Sequence, residues 1–341
     1  SPKSVLTLLM MYVYHILFSY VYYHIPTDGM GMYQLITGGS RTVSLTQVPT
    51  PGNNFIFYLT RICIEYLNLS YLGATLLFGS LSYIGFWILF RIIQAHKIQY
   101  LWLVLLIPSL HFWTSGFGKD SLSFLFISTF LYGVLKNKLH YMILSLVVIF
   151  LIRPHIAVIF GSIYLLTTLF NPNIRLRIKL IGSIAILGLL VSTLNILYTY
   201  LGINNLFGLY DFALLMQKQN LYGGSSIDIS EYSLPLQVFT YLFRPFFESL
   251  NLSYMLVSLD NLIYFLIFLW VVMNKKFINF KDPVNIYLIL TFFIFSIIMG
   301  FTIANLGLAL RQKIMIMPFL LLIFIQVRSR KKTYSNPAKY P

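Results

Sequence analysis

LSYLGATLLFGSLSYIGFWILFRII, residues 69–93, carries a single charge, Arg91, close to its end. Its apolar residues run continuously, and its length matches the ~20 residues a helix needs to cross a hydrocarbon core of about 30 Å. Strands of a membrane barrel would instead alternate apolar and polar residues. Runs of the same kind recur at 4–24, 98–113, 120–135, 139–152, 154–170, 180–200, 255–273, 284–303 and 314–328. The whole chain agrees with them. Its 341 residues are 58% hydrophobic and 10% charged, with mean hydropathy +0.79, whereas soluble domains carry about a quarter charged residues. The sequence therefore predicts an all-α, polytopic transmembrane bundle of about ten spans.

Residues 1–328 form one transmembrane domain with outer loops 25–68 and 201–254, and 329–341 form a basic cytoplasmic tail. Residues 4–24 have no small-residue cleavage site after them and read as a first span rather than a signal peptide. Within the first loop, NFIFYLTRICIEYLNL (54–69) places Phe55, Tyr58, Ile62 and Tyr66 at helical spacing, with Arg61 and Glu65 on another face. That pattern predicts a helix lying in the membrane interface.

The net charge of +15 does not point to nucleic acid, because the cations fall between apolar runs rather than on one basic face. With both termini in the cytoplasm, most Lys and Arg lie inside, as the positive-inside rule requires. All acidic residues but Asp282 fall outside. Outer charge near the hydrocarbon boundary has no topological explanation, so the chemistry is expected to face the exterior. The lone cysteine, Cys63, excludes an intramolecular disulfide and a paired-cysteine metal knuckle.

Five stretches carry candidate chemistry on that side. In YYHIPTDGMGMYQ (22–34), Asp28 suits a general base on a sugar hydroxyl or a ligand of a divalent cation, Mg or Mn. Beside Gly29 it equally suits a turn residue. In HFWTSGFGKDSLSF (111–124), Lys119 can hold a phosphate as a point charge beside the first amides of a helix. Asp120 reads as the cap of that helix. LIRPHIAVIFG (151–161) sets Arg153 and His155 around a helix-opening proline. Arg suits phosphate and His suits proton transfer, although a snorkelling Arg and a helix-start His fit as well. In TYLFRPFFESLN (240–251), Arg244 and Glu248 are spaced to pair. NLGLALRQKIMIMP (305–318) sets Arg311 and Lys313 at the start of the last span. His15 and His111 read as satisfied by helix packing or interfacial water. No protein metal site is expected, and no other cofactor.

The first span, the outer loop with TDGMGMY and the interfacial helix together resemble the GT-C superfamily of membrane glycosyltransferases. PSLHFWTSGFGKDSL, IRPH and NLGLALRQKIMIMP are similar to stretches of bacterial polysaccharide and protein-glycan transferases. They also overlap with exopolysaccharide and O-antigen polymerases. The resemblance implies a polyprenyl-phosphate-linked sugar as donor, and a glycan, lipid or protein as acceptor. It further implies a site on the extracytoplasmic face of the bacterial cytoplasmic membrane, among membrane lipids. By it, Asp28 is the acceptor-activating base, or His155 in a polymerase. Lys119, Arg153, Arg244, Arg311 and Lys313 would meet the lipid phosphate, with Asp120 and Glu248 as further outer polar groups. The chain departs from the superfamily in having Gly29 where a second acid often follows the first. A lipid flippase or transporter, or a non-enzymatic subunit of a membrane complex, is the competing class.

Overall fold

The computed structural model describes residues 2–39, 49–96, 98, 100–169, 171, 175–177, 179–184, 187–188, 191–192, 207–221, 224–248 and 251–335. Among these residues the fold is all-helical, and an isolated bridge between Ser226 and Asn305 is the extent of its β structure. The contacts divide into two compact units, 1–157 and 158–341.

The first unit holds α1 (Pro2–Tyr23), α2 (Asp28–Thr37), α3 (Asn53–Glu65), α4 (Tyr71–Ala95), α5 (Pro108–Thr114), α6 (Lys119–Lys136), α7 (Leu139–Ile152) and the start of α8 (Pro154–Leu169). On α1, Met11, His15, Ser19 and Tyr22 form one buried stripe, while Val5, Leu6, Leu9, Met10, Val13 and Leu17 are exposed. Large aliphatics outside and small or polar groups inside are what a bilayer solvent favours, because lipid tails are as apolar as leucine. The Ser70 hydroxyl caps α4 by accepting from the Gly73 amide at 3.2 Å. The α7–α8 break follows from Pro154, which pushes Arg153 out of the helical region, to φ −145° and ψ 80°.

The second unit holds the rest of α8, then α9 (Phe207–Asn220), α10 (Leu234–Phe243), α11 (Leu252–Met273), α12 (Pro283–Thr302), α13 (Leu306–Lys313) and α14 (Met317–Ser335). Asp282 caps α12 by accepting from the Val284 amide at 3.0 Å, and Asn305 caps α13 by accepting from the Leu308 amide at 3.1 Å.

Among the described residues, four helices are long and apolar enough to cross a membrane: Lys3–Tyr23, Tyr71–Ala95, Tyr254–Met273 and Pro283–Thr302. The α13–α14 pair, bent by 52°, makes a fifth if it is one broken span. The expected run 98–113 is not one helix. Tyr100 takes a left-handed conformation (φ +59°) before a 3-10 turn at Leu101–Leu106. Pro108, which cannot donate to a preceding turn, then opens the short α5. Runs 139–152 and 154–170 are helices of 14 and 16 residues. The run 180–200 falls largely outside the described residues.

The helix expected at 54–69 is α3. Its most buried line is Ile56, Phe57, Thr60 and Cys63. It packs into a cluster with Tyr71, Phe78, Phe117, Leu122 and Ile152. The stripe Phe55, Tyr58, Ile62 and Tyr66 runs from half-buried to exposed.

Candidate functional site

One end of the first unit is organised around the backbone of Ser115-Gly116-Phe117-Gly118. The Ser19 hydroxyl donates to the Ser115 carbonyl at 3.0 Å. A Cβ on Gly116 would lie 2.3 Å from the Tyr22 ring, and one on Gly29 would lie 2.2 Å from the Phe117 carbonyl oxygen. Gly118 adopts φ +136°, a conformation that L side chains rarely take. The start of α2 is thus pressed onto the residue two before Lys119. Asp28, the first residue of α2, is exposed beside that contact. Lys119 is half-buried at the first position of α6.

Asp120 pairs with Arg153 across α6 and the α7–α8 break, with both side chains nearly excluded from solvent. This corrects the expected capping role. Gly118 is the N-cap of α6, and the Ser121 hydroxyl donates back to the Gly118 carbonyl at 3.0 Å. The Asp120 carboxylate accepts from the Arg153 guanidinium instead. The Arg153 carbonyl in turn accepts from the Ile156 and Ala157 amides at 3.0 and 3.3 Å, which starts α8. The Leu151 carbonyl accepts from the Gly52 amide at 2.8 Å, which ties the start of α3 to the same corner. His155 is exposed there, within reach of the charges of Arg153 and Lys119. The first unit therefore gathers Asp28, Lys119, Asp120, Arg153 and His155 at one end.

The remaining candidates lie in the second unit. Lys313 is buried at 2% exposure. Its ammonium donates to the Leu242 carbonyl at 3.0 Å and to Asn261 Oδ1 at 2.8 Å. The charge of Asp260, also buried, acts on it. Arg244 pairs with Glu248 at 2.6 Å, both partly exposed, as their spacing predicts. That hydrogen bond holds the guanidinium above its ordinary pKa against a lowering from burial. Arg311 is half-buried in the last turn of α13. Arg153, Arg244 and Lys313, expected to meet a phosphate, are held by these internal polar partners, and Lys119 and Arg311 also interact within the chain.

A buried histidine pair lies in the first unit as well. His15 Nδ1 and His111 Nδ1 are 2.9 Å apart. Phe86 stacks on His111 with centroids 4.1 Å apart and planes 11° from parallel. Helix packing or interfacial water was the expectation for each histidine, but no spacing signal joins residues so far apart in the chain. Among the described residues no three metal-ligating side chains gather. The Asp120 carboxylate is engaged by Arg153. The described residues thus offer no cluster that fits a divalent cation.

Fold and site together define an all-helical protein with membrane-length apolar helices and a charged cluster at one end of its first unit. No family model, no curated protein and no solved structure matches the chain.

Proposed function

We propose that the chain is a glycosyltransferase of the bacterial cytoplasmic membrane. It acts at the extracytoplasmic face on a polyprenyl-phosphate-linked sugar, in the manner of GT-C transferases or repeat-unit polymerases. The observation that carries this reading is the gathering of exposed Asp28 and His155 around half-buried Lys119 and the buried Asp120–Arg153 pair.

Glycosyl transfer needs a base for the acceptor hydroxyl and positive charge for the departing phosphate. Asp28, or His155 in a polymerase, takes the proton as the acceptor oxygen bonds to the anomeric carbon. The bond from that carbon to the phosphate oxygen breaks, and the lipid phosphate leaves with the electron pair. Lys119, beside the first amides of α6, faces the charge that develops there. Arg153, neutralised by Asp120, fixes the start of α8 behind it. In this reading the chain has about ten spans with both termini cytoplasmic, and α3 lies in the interface with Tyr58, Ile62 and Tyr66 toward lipid.

The test is transfer from a purified lipid-linked sugar donor by the reconstituted protein. Asp28→Asn and Lys119→Gln are expected to lose more than about 100-fold in rate, the usual scale for a base or charge-stabilising group, while the gel-filtration profile stays unchanged. Full activity in both variants would sink the reading.

One observation favours a second reading. Lys313 is buried at a break between helices, and broken helices with buried charge line the sites of transporters. A lipid-linked-glycan flippase would move a fluorescent donor across proteoliposomes and lose that activity in Lys313→Gln.

A further inference from the structure

YLTRICIEYLNLSY, residues 58–71, recurs as YLFRPFFESLNLSY at residues 241–254. Nine of the fourteen positions are identical without a gap, in the pattern Y-L-x-R-x-x-x-E-x-L-N-L-S-Y. Apolar residues match easily in a chain that is 58% hydrophobic, but only 10% of its residues are charged, and both charges of the pattern recur in place. One copy lies in the first unit and the other in the second.

The described parts of the two copies fold alike. Arg61 Nε donates to Glu65 Oε1 at 2.6 Å, and Arg244 Nε donates to Glu248 Oε1 at 2.6 Å. Each copy begins within a shorter helix, α3 or α10, and leads into one of membrane length, α4 or α11. Just past the pattern the Thr75 hydroxyl donates to the Tyr71 carbonyl at 2.8 Å. At the aligned position the Ser258 hydroxyl donates to the Tyr254 carbonyl at 2.7 Å. Three residues further, the Phe78 ring meets the Phe117 ring at 4.6 Å, in the joint between the short α5 and the long α6. Its aligned counterpart, Asn261, accepts from Lys313 at 2.8 Å, at the joint between the short α13 and the long α14. An i,i+4 ion pair and a hydroxyl bonded back to its own helix are each common. Their recurrence in one order, ending on the same kind of joint, is not.

We propose that the two units are copies of one membrane module, whose spans α4 and α11 are entered from the same face, and that Lys313 locks in the second copy the joint that Phe117 packs in the first. The first joint is a contact of rings, and its turn leads to Lys119 at the start of α6. The second is polar. The Lys313 ammonium also donates to the Leu242 carbonyl near the end of α10, and the Asn261 amide donates to the Pro245 carbonyl, each at 3.0 Å. One buried cation thereby ties α10, α11 and α13 together. Lys313 serves as this internal tie rather than as a phosphate ligand.

The experiment uses the full chain and two readouts. Glu65→Cys and Glu248→Cys change aligned, exposed positions, where loss of a surface ion pair costs little. In cells, a membrane-impermeant maleimide should reach both cysteines from the same face. Labelling from opposite faces overturns the proposal. Labelling of both only after permeabilisation upholds it and instead overturns the outer-face placement of sugar transfer. Thermal unfolding in detergent reads the joint. Asn261→Leu and Lys313→Met should each lower the midpoint by more than about 5 °C, because each strands a buried polar partner. Asn261→Leu with Lys313→Met, an apolar joint like that of the first copy, should regain more than half of the larger loss. A double variant that loses the sum of the two shows that this joint cannot pack as the first does, and overturns the counterpart of Phe117. The labelling uses exposed positions, so it decides the common entry face even if the buried variants do not fold.

Discussion

Arg153 and Asp120 are both nearly excluded from solvent, with side chains 9% and 6% exposed. A buried ion pair contributes little net stability, because desolvation of two charges offsets their attraction. Removing one partner is different, since the other charge stays buried and uncompensated. Asp120→Ala and Arg153→Ala are each expected to destabilise the fold by about 3–5 kcal/mol, read as a lowered melting temperature in detergent. Asp120→Leu with Arg153→Met should recover much of that loss. The histidine pair follows the same logic with neutral groups. His111 Nε2 lies 2.8 Å from the Leu105 carbonyl, so it carries the proton and leaves Nδ1 to accept from His15. His15 Nε2 meets two groups, the Ser82 hydroxyl at 2.8 Å and the Gly79 carbonyl at 3.1 Å, and the Ser82 hydroxyl is also placed to donate to Gly79 at 2.9 Å. His111→Phe would keep the stacking on Phe86 but leave His15 Nδ1 without its partner. A loss of about 1–3 kcal/mol is expected, and His15→Phe with His111→Phe should lose less than the sum of the single changes. Strict additivity in that cycle would mean that the two rings do not share a proton.

At the scale of elements, the site depends on how closely α2 approaches the loop before α6. A methyl group on Gly29 would lie 2.2 Å from a backbone oxygen, whereas one on Gly31, a half-turn further on, meets nothing within 4 Å. Gly29→Ala must therefore move α2 or the loop, because a carbonyl cannot swing away as a side-chain tip can. Gly31→Ala should be neutral or stabilising, by up to about 1 kcal/mol of helix propensity. Gly29→Ala should lower both stability and sugar transfer, and equal behaviour of the two variants would show that the contact is not needed. The sequence discloses this closeness only in part. Length and continuity of apolar runs reveal α1, α4, α11 and α12, since nothing else satisfies twenty apolar residues. Pro154 likewise announces the α7–α8 break. The break inside 98–113 stays hidden, because an apolar 3-10 turn has the composition of an apolar helix and Pro108 is consistent with either end of one. Asp120 misleads for another reason. Its local pattern is that of a cap, and its partner, Arg153, lies 33 positions away, where periodicity carries no information. The glycine contact that presses α2 onto the residue two before Lys119 has no signal in the sequence either.

For the whole molecule, charge distribution supplies a test that does not depend on the identity of the substrate. A count of about ten spans requires α7 and α8 to cross with 14 and 16 residues, lengths of roughly 21 and 24 Å at 1.5 Å per residue. Both fall short of a core of about 30 Å, so the bilayer would have to thin or the flanking residues to extend the crossing. The orientation can be read directly because the one cysteine is nearly silent. Cys63 is 4% exposed, and burial raises its thiol pKa, which keeps the reactive thiolate scarce. New cysteines at Tyr66, 72% exposed after α3, and at Lys276, exposed after α11, sample the two expected faces. In intact cells a membrane-impermeant maleimide should label Tyr66→Cys, leave the unmodified chain blank, and reach Lys276→Cys only after permeabilisation. The inverse pattern would turn the Asp28 and Lys119 corner toward the cytoplasm, away from the face where the proposed sugar transfer takes place. Labelling of both positions from one side would break the alternation of spans between them, and with it the assignment of any outer face by charge.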